Sequence, residues 1–198
     1  MGQITDIDGN SYITVVIGKQ EWMAENLNVS KYRNGDPIPE VKDLKEWNKL
    51  RTGAWCYYNN DPEKGEIYDK LYNWYAVNDP RGLAPEGWHI PSVEEWSELL
   101  CFLGGKSVAG DKLKEAGNTH WLNNTKTATN KSGFTALPGG IRFPDGRFWG
   151  GRTHGHWWSS TESESDGARA SYMIDGTIDV NFGNYYKAEG YSIRCVRD

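Results

Sequence analysis

The sequence lacks a long apolar run and a basic stripe, and each absence excludes a class of protein. No apolar segment in the 198 residues approaches the roughly 20 residues that a helix needs to cross a bilayer, so we expect no direct membrane insertion. The formal net charge is −5 and the lysines and arginines are scattered, unlike the clustered charge of nucleic-acid-binding proteins. We therefore expect no nucleic acid among the partners.

The start of the chain also lacks the charged region and apolar region of a secretion signal. Either the protein is cytoplasmic or a leader has been removed. The Met1-Gly2 start is compatible with replacement of a leader, so we expect an extracellular or cell-surface location.

Cysteine is scarce. The three cysteines, Cys56, Cys101 and Cys195, are too few and too far apart for a zinc knuckle or a CxxC redox pair. At most one disulfide can form among them. Cys101 falls on the apolar face of a predicted helix, where we expect it to be a small buried hydrophobic residue.

Catalytic and metal-binding patterns are missing as well. His154 and His156 form an i, i+2 pair with no third ligand in sequence, so we expect no metal site there. The sequence contains no nucleophile elbow, phosphate loop or dinucleotide-binding fingerprint. We therefore predict a protein that is not an enzyme and needs no cofactor.

One segment resembles the start of a calcium loop. Asp6, Asp8 and Asn10 have the alternating spacing of such a loop, but Ile17 occupies the twelfth position, where the loop would carry Glu. The dipeptides in this segment are also ordinary hairpin-turn signals. We predict a turn, and a weak calcium site is the alternative.

Aromatic residues, by contrast, are abundant. Ten Trp, eleven Tyr and five Phe can supply most of one core, because each buries about 150–250 Å². We expect a single domain over residues 1–198, in which residues 1–52 form an N-terminal hairpin and a wrapping loop and residues 53–198 form the main body.

The first 77 residues predict a hairpin, a loop and one helix. A turn at residues 6–10 and a second turn at 18–20 flank a β-rich segment, and residues 28–52 are polar and irregular. Residues 53–58 form a short strand, which a turn at residues 61–65 follows. Apolar residues at helical spacing then predict a helix over residues 67–77.

The clearest local signal is the start of a second helix after Pro91. Ser92 and Glu95 form a capping box, and Trp96, Leu99 and residues up to Leu103 trace one apolar stripe. A shorter helix is predicted near residues 110–116. Short strands and turns follow residue 118, so helices in the middle and strands at the end indicate an α+β fold with antiparallel pairing.

The last third of the chain is rich in aromatic and amide side chains, a composition that binding surfaces favour. Strand alternation must direct part of this set into the core. The predicted ligand-binding residues are Trp149, Arg152, His154, His156, Trp157, Arg169, Tyr172, Asn181, Asn184, Tyr185 and Tyr186.

Seven motifs in order resemble the Fibrobacter succinogenes major paralogous domain, and together they cover almost the whole chain. The motifs are TDIDGNSY (5–12), EWMAENLN (21–28), LYNWYA (71–76), PEGWHIPS (85–92), SGFTALPGG (132–140), WWSSTE (157–162) and IRCVRD (193–198). The resemblance implies a bacterial, exported or surface-anchored domain, common in lipoproteins and adhesin-like proteins, with no established enzymatic activity.

The resemblance also implies a C-type-lectin-like fold, with two main helices packed on a twisted antiparallel sheet and long loops, in which the strand and loop end carries ligand recognition. Related variable proteins of diversity-generating retroelements vary ligand-contacting residues near the C-terminus. Relatives often carry a Cys where this chain has Ala84, so Cys195 loses its expected partner, and a Cys56–Cys195 bridge is the alternative. The oxidative Cys pair of the formylglycine-generating enzymes is not matched.

The leading functional prediction is a recognition module that binds a surface glycan or protein ligand. One alternative is a structural or assembly module of a surface protein. Two less favoured alternatives are an enzyme related to the formylglycine-generating group and a variable ligand-binding protein diversified by a retroelement. The oligomeric state is left open by the sequence.

Overall fold

A computed structural model describes residues 2–197 and has a mixed α/β architecture of mostly antiparallel sheets and few helices. The strands are β1 (Gly2–Thr5), β2 (Ser11–Ile17), β3 (Gln20–Met23), β4 (Trp55–Cys56), β5 (Leu71–Tyr72), β6 (Trp88–His89), β7 (Ile141–Arg142), β8 (Phe148–Trp149), β9 (His154–Glu164), β10 (Gly167–Ile174), β11 (Asn181–Tyr186) and β12 (Val196–Arg197). The helices are α1 (Leu44–Lys49), α2 (Pro62–Tyr68), α3 (Trp74–Val77), α4 (Val93–Phe102) and α5 (Gly110–Leu113). Among the described residues, no helix is long and apolar enough to cross a membrane.

The two ends of the chain meet in one five-stranded sheet, ordered β1-β2-β3-β12-β6. The N-terminal hairpins form as the turn signals predict. Asp6 organises the first turn: its carboxylate accepts hydrogen bonds from the backbone N–H of Asp8, the backbone N–H and side-chain amide of Asn10, and the Tyr12 hydroxyl. The C-terminal strand β12 then pairs antiparallel with β3 and β6, which links sequence-distant segments.

A three-stranded antiparallel sheet, ordered β11-β10-β9, occupies the last third of the chain. This confirms the antiparallel prediction for that region. The register of β9 against β10 shifts between Gly167 and Ala170, so β9 carries an irregularity beyond Trp158.

Helix α4 is the longest helix of the described chain, and its start and buried stripe confirm the prediction. The Glu95 N–H donates to Ser92 Oγ (3.2 Å), and the Ser92 N–H donates to Glu95 Oε2 (2.8 Å). Trp96 and Leu99 are fully buried. The prediction for Cys101 is wrong, because its side chain is exposed. At about 100° per residue, Cys101 lies away from the direction shared by Trp96 and Leu99.

The prediction of one helix over residues 67–77 is wrong. Helix α2 begins earlier, at Pro62, and ends at Tyr68, because Asp69 adopts φ 63°, ψ −155°. Strand β5 follows, and α3 starts afresh where the Asn73 side chain accepts the Ala76 N–H. The predicted turn at residues 61–65 is therefore the start of α2. The expected pair of main helices reduces to α4 and several shorter helices.

The wrapping loop is also more structured than predicted. Residues 28–52 contain α1, which Asp43 caps through hydrogen bonds from the Lys45 and Glu46 amides. Trp47 on α1 is fully buried and its indole N–H donates to the Ala188 carbonyl (2.9 Å). Trp47 thus anchors this segment to the C-terminal region, and the Arg142 guanidinium adds hydrogen bonds to the Val41 and Lys42 carbonyls.

Three clusters of buried apolar residues make the core, and tryptophans are prominent in each. Cys56 packs in one cluster with Trp47 and Leu71, whereas Cys195 packs in another with Tyr72. Both thiols are buried and free, so the Cys56–Cys195 disulfide considered above is not formed.

Candidate functional site

Five rings lie side by side along β8, β9, β10 and β11, and we call them the aromatic strip: Trp149, His154, His156, Tyr172 and Tyr185. The centroid of Trp149 lies 4.2 Å from that of His154, which lies 6.1 Å from His156. The His156 ring stacks on Tyr172 at 5.2 Å and meets the edge of Tyr185 at 5.5 Å. The structure thus brings together these five of the eleven predicted ligand-binding residues.

The strand register explains why these rings meet. Tyr172 lies opposite His156, so both side chains point to the same face of the sheet. Tyr185 lies opposite Ala168 on that face, two residues along from Gly183. A β-carbon at Gly183 would come within 2.5 Å of the Tyr185 ring, so glycine is what allows this ring to lie against the strand.

The strip is uncharged at neutral pH. Burial, with a smaller effect of His154, lowers the pKa of His156 to about 3. Burial also lowers the pKa of His154, whose Nδ1 lies 2.9 Å from Thr153 Oγ1. The Nδ1 of His156 is buried and has no hydrogen-bond partner within residues 2–197. The site therefore offers ring faces and edges, with one unsatisfied nitrogen.

Exposure varies along the strip. Trp149 is 50% exposed, whereas His156 is only 5% exposed. His154, Tyr172 and Tyr185 are half-buried. A ligand could therefore contact Trp149 most extensively, while His156 supports the neighbouring rings.

Most of the remaining predicted site residues lie away from this surface. Arg169, Asn184 and Tyr186 point to the opposite face of the same sheet, because they occupy the alternate positions of β10 and β11. The Arg169 Nη1 donates to Asn184 Oδ1 at 2.9 Å. Asn181 shares the face of Tyr172, its partner in the register. Arg152 lies on a turn and donates to the His120 carbonyl.

The expectation that Trp157 is exposed is wrong. Its side chain is fully buried among Trp96, Phe134 and Met173, and its indole N–H donates to Asn26 Oδ1 at 2.9 Å. Trp157 belongs to the core behind the sheet, one residue out of phase with His156.

Sequence reasoning missed two rings that extend the strip. Phe143 stacks on Trp149 at 6.4 Å, and the buried Tyr191 lies 4.9 Å from His156. Both belong to segments that contact the sheet from elsewhere in the chain. No periodicity in the sequence could have placed them there.

Sequence reasoning also missed a cleft of about 400 Å³ that shares no residue with the aromatic strip. It is lined in part by Glu25, Asn26, Asp69 and Arg194. Burial, together with the charge of Glu25 and against the opposing charge of Arg194, raises the pKa of Asp69 to about 7. Arg194 is fully buried and hydrogen-bonded to Asn26 Oδ1 and three backbone carbonyls.

The cleft combines an acid of raised pKa with an unusual backbone conformation at the same residue. Asp69 follows directly after α2, at a position where glycine is common, and this is the one sequence feature that could have drawn attention to it. Residues with strained backbones, such as Asp69, occur at functional sites. The neighbouring Arg194 has a structural role, because its guanidinium already donates to four acceptors within the chain.

The chemistry of the thiols and acids bears on the other predictions. Burial raises the pKa of Cys56 to about 12 and also raises that of Cys195. Among residues 2–197, no group of three or more His, Cys, Asp or Glu side chains could hold a metal ion. Asp8, in the segment that resembles a calcium loop, accepts hydrogen bonds from Ser30 and pairs with Lys31.

Comparison with known protein families identifies the chain's relatives. The family model described as the Fibrobacter succinogenes major domain matches residues 15–197. No curated protein and no solved structure matches the chain.

Proposed function

The chain belongs to the Fibrobacter succinogenes major domain family, and we propose that it is a non-enzymatic recognition module that binds a surface glycan or protein through the aromatic strip. The observation that carries this proposal is the continuous series of uncharged rings from Trp149 to Tyr185. The strip is built on β-strands and a short hairpin, so its geometry is held by backbone pairing.

Physical reasons favour recognition at such a surface. Tyr and Trp offer large contact areas at a low cost in side-chain entropy, since each has only two side-chain torsions. The aromatic contacts within the strip restrict these torsions further. A ligand that covers Trp149 would remove apolar surface from water without displacing a charged protein group.

The proposal includes a C-type-lectin-like fold and a cell-surface location. The fold is supported by the pairing of β12 with β3, which joins the two ends of the chain, and by a separate three-stranded sheet in the last third. An experimental structure superposed on C-type lectin domains tests the fold, since a different strand order would reject it. Labelling of intact cells with an antibody against the chain tests the location.

The non-enzymatic part of the proposal is supported by the state of the thiols. Thiolates are the reactive form of cysteine, and the raised pKa values of Cys56 and Cys195 keep both protonated at neutral pH. Copper titration tests the alternative of a formylglycine-generating type of enzyme. Tight stoichiometric copper binding that Cys56→Ser or Cys195→Ser abolishes would reject the proposal.

A binding screen tests the recognition role directly. The full chain is applied to a glycan array and to a panel of purified bacterial surface proteins, and each ligand found is titrated against Trp149→Ala and Tyr172→Ala. We expect a loss of about tenfold or more for Trp149→Ala, corresponding to about 1.4 kcal/mol. Phe102→Ala is the matched control, because Phe102 is an aromatic residue, 64% exposed, on α4. Equal affinity of folded Trp149→Ala, Tyr172→Ala and unmodified protein would reject the strip as the site.

A further inference from the structure

Strand β11 is an edge strand, because it pairs only with β10 in the order β11-β10-β9. The direction of its backbone groups can be read from the residues at its ends. The Lys187 N–H donates to the Asp166 carbonyl on the β10 side. The backbone groups of Tyr186 point away from β10, since its N–H donates to Glu189 Oε1 and its carbonyl accepts the Glu189 N–H.

This alternation places two residues of β11 with their backbone groups directed outward. In an antiparallel ladder, every second residue turns its N–H and C=O away from the neighbouring strand. The backbone N–H and C=O groups of Phe182 and Asn184 therefore point away from β10, as those of Tyr186 do. Within the described residues, no hydrogen-bond partner is present for the outward N–H and C=O of Phe182 and Asn184.

The open part of the edge is bounded at both ends. On one side the Val180 N–H donates to the Lys106 carbonyl, and the Ile178 carbonyl accepts the Gly110 N–H. At the other end, the backbone N–H and C=O of Tyr186 are hydrogen-bonded to Glu189. Between Val180 and Tyr186 the strand spans about 20 Å at roughly 3.3 Å per residue, which is the length of a short extended peptide.

An acidic cleft of about 260 Å³ lies at the Tyr186 end of this edge. Its lining includes Glu164, Asp166 and Tyr186, together with the buried Glu189, and contains no Lys, Arg or His. Ser163 also lines the cleft, and its Oγ is buried without a hydrogen-bond partner within residues 2–197.

Two basic side chains lie near this cleft, and both already have hydrogen-bond partners: the Arg169 guanidinium donates to Asn184 Oδ1, and neither Arg169 nor Lys187 belongs to the cleft lining. The Nζ of Lys187 is bonded to Glu162 and to the Ser165 carbonyl, and it lies over the Trp74 ring. The cleft thus combines the exposed acids Glu164 and Asp166 with the exposed Tyr186 ring, which suits an ammonium or guanidinium group.

We infer that β11 binds an extended segment of a partner protein as an added strand, and that a Lys or Arg side chain of this segment enters the acidic cleft. The inference rests on the proposed recognition function and assigns its ligand to the protein class. Main-chain hydrogen bonds to Phe182 and Asn184 provide affinity, and the cleft provides specificity, as in other cases of strand addition. The absence of charged side chains and proline from β11 leaves this edge unprotected against pairing.

Asn184 offers a sharp test, because its N–H faces outward and is not part of the β10 ladder. Asn184→Pro removes this donor and keeps the bonds between β10 and β11, whereas Asn184→Ala keeps the donor and removes only the side chain. A phage-displayed library of random heptapeptides is panned against the full chain, and selected peptides are titrated against both variants. We expect selection of peptides with a Lys or Arg, and a loss of about tenfold for Asn184→Pro relative to Asn184→Ala.

Two further measurements keep the inference testable if Asn184→Pro does not fold. N-methylation of single peptide amides should abolish binding at alternate positions only, because only alternate amides face β11. The double variant Glu164→Gln, Asp166→Asn should weaken peptides with a Lys or Arg and leave their neutral analogues unchanged. No selected peptide, or equal binding to Asn184→Pro and Asn184→Ala, would overturn the inference.

The two proposals can fail separately. If the chain binds only glycans, and Trp149→Ala abolishes this binding, the inference fails and the proposed function stands. If selected peptides depend on Asn184 while Trp149→Ala affects no ligand, the edge is the binding site and the aromatic strip is not.

Discussion

Asp69 provides the most direct test of the structure, because one substitution there changes both a strained backbone and a buried charge. Its backbone angles of φ 63° and ψ −155° fall in a region that is essentially restricted to glycine, and a residue with a side chain costs about 1–3 kcal/mol there. Glycine loses more conformational freedom on folding, which offsets about 0.5–1 kcal/mol of this gain. We therefore expect Asp69→Gly to raise the free energy of unfolding by about 1–2 kcal/mol through the backbone alone.

The charge adds a contribution that depends on pH. Because burial raises the pKa of Asp69 from 3.8 to about 7, the folded state favours the protonated acid. This stabilisation is complete below pH 3.8 and is lost as the pH rises through 7. At about 1.4 kcal/mol per pKa unit, the full difference is at most about 4 kcal/mol. Because the side chain is partly exposed to solvent, we expect about half of that.

Urea unfolding followed by tryptophan fluorescence at pH 5 and pH 8 separates the two contributions. Asp69→Ala removes the charge and keeps the strain, so Asp69→Gly should exceed it by about 1–2 kcal/mol at both pH values. Asp69→Asn should gain about 1–2 kcal/mol over the unmodified chain between pH 5 and pH 8. Equal stability of Asp69→Gly and Asp69→Ala would refute the backbone argument. A difference between Asp69→Asn and the unmodified chain that does not change with pH would refute the charge argument.

Three other predictions concern the core, the helix cap and the thiols. Trp157→Ala should lower the free energy of unfolding by about 3–5 kcal/mol, whereas Trp149→Ala should change it by about 1 kcal/mol or less; comparable losses in urea titration would contradict their different burial. Ser92→Ala should cost about 1 kcal/mol in the same assay, and an unchanged midpoint would show that the capping box contributes no stability. Ellman's reagent should modify Cys101 rapidly in the native protein and Cys56 and Cys195 only after denaturation; a second fast thiol would disprove their burial.

Local signals predicted the elements whose causes lie within a few residues. The cap of α4 depends on Ser92 and Glu95, three positions apart, and the first hairpin depends on Asp6 and the turn that follows it. Hydrogen bonds of this range form wherever the segment is placed in the fold. These elements can therefore be predicted from the sequence without any long-range contact.

The helix predicted over residues 67–77 failed for the opposite reason. Its apolar residues have helical spacing, but Leu71 and Tyr72 pair with Cys56 and Trp55 as strands. Asp69 meanwhile takes a conformation that ends α2. Tertiary packing overrode a pattern that was consistent with a helix, as it often does for short apolar segments.

The candidate site was also predicted only in part from the sequence. Composition identified the last third of the chain as the aromatic-rich region, and five of its predicted residues form the strip. Composition could not decide on which face of a strand each side chain lies, since a shift of one residue moves a side chain to the other face. His156 thus faces the strip while Trp157 fills the core behind it.

The sequence by itself determined the family, the antiparallel character of the C-terminal region, and the capped helix α4, because ordered motifs and short-range hydrogen bonds carry that information. Only the tertiary structure decided which tryptophans are buried, which strand forms an open edge, and that Asp69 and Arg194 line one cleft. Those properties depend on surfaces contributed by segments more than a hundred residues apart, such as Asn26 and Trp157. Burial and charge at such contacts are collective properties of the folded chain.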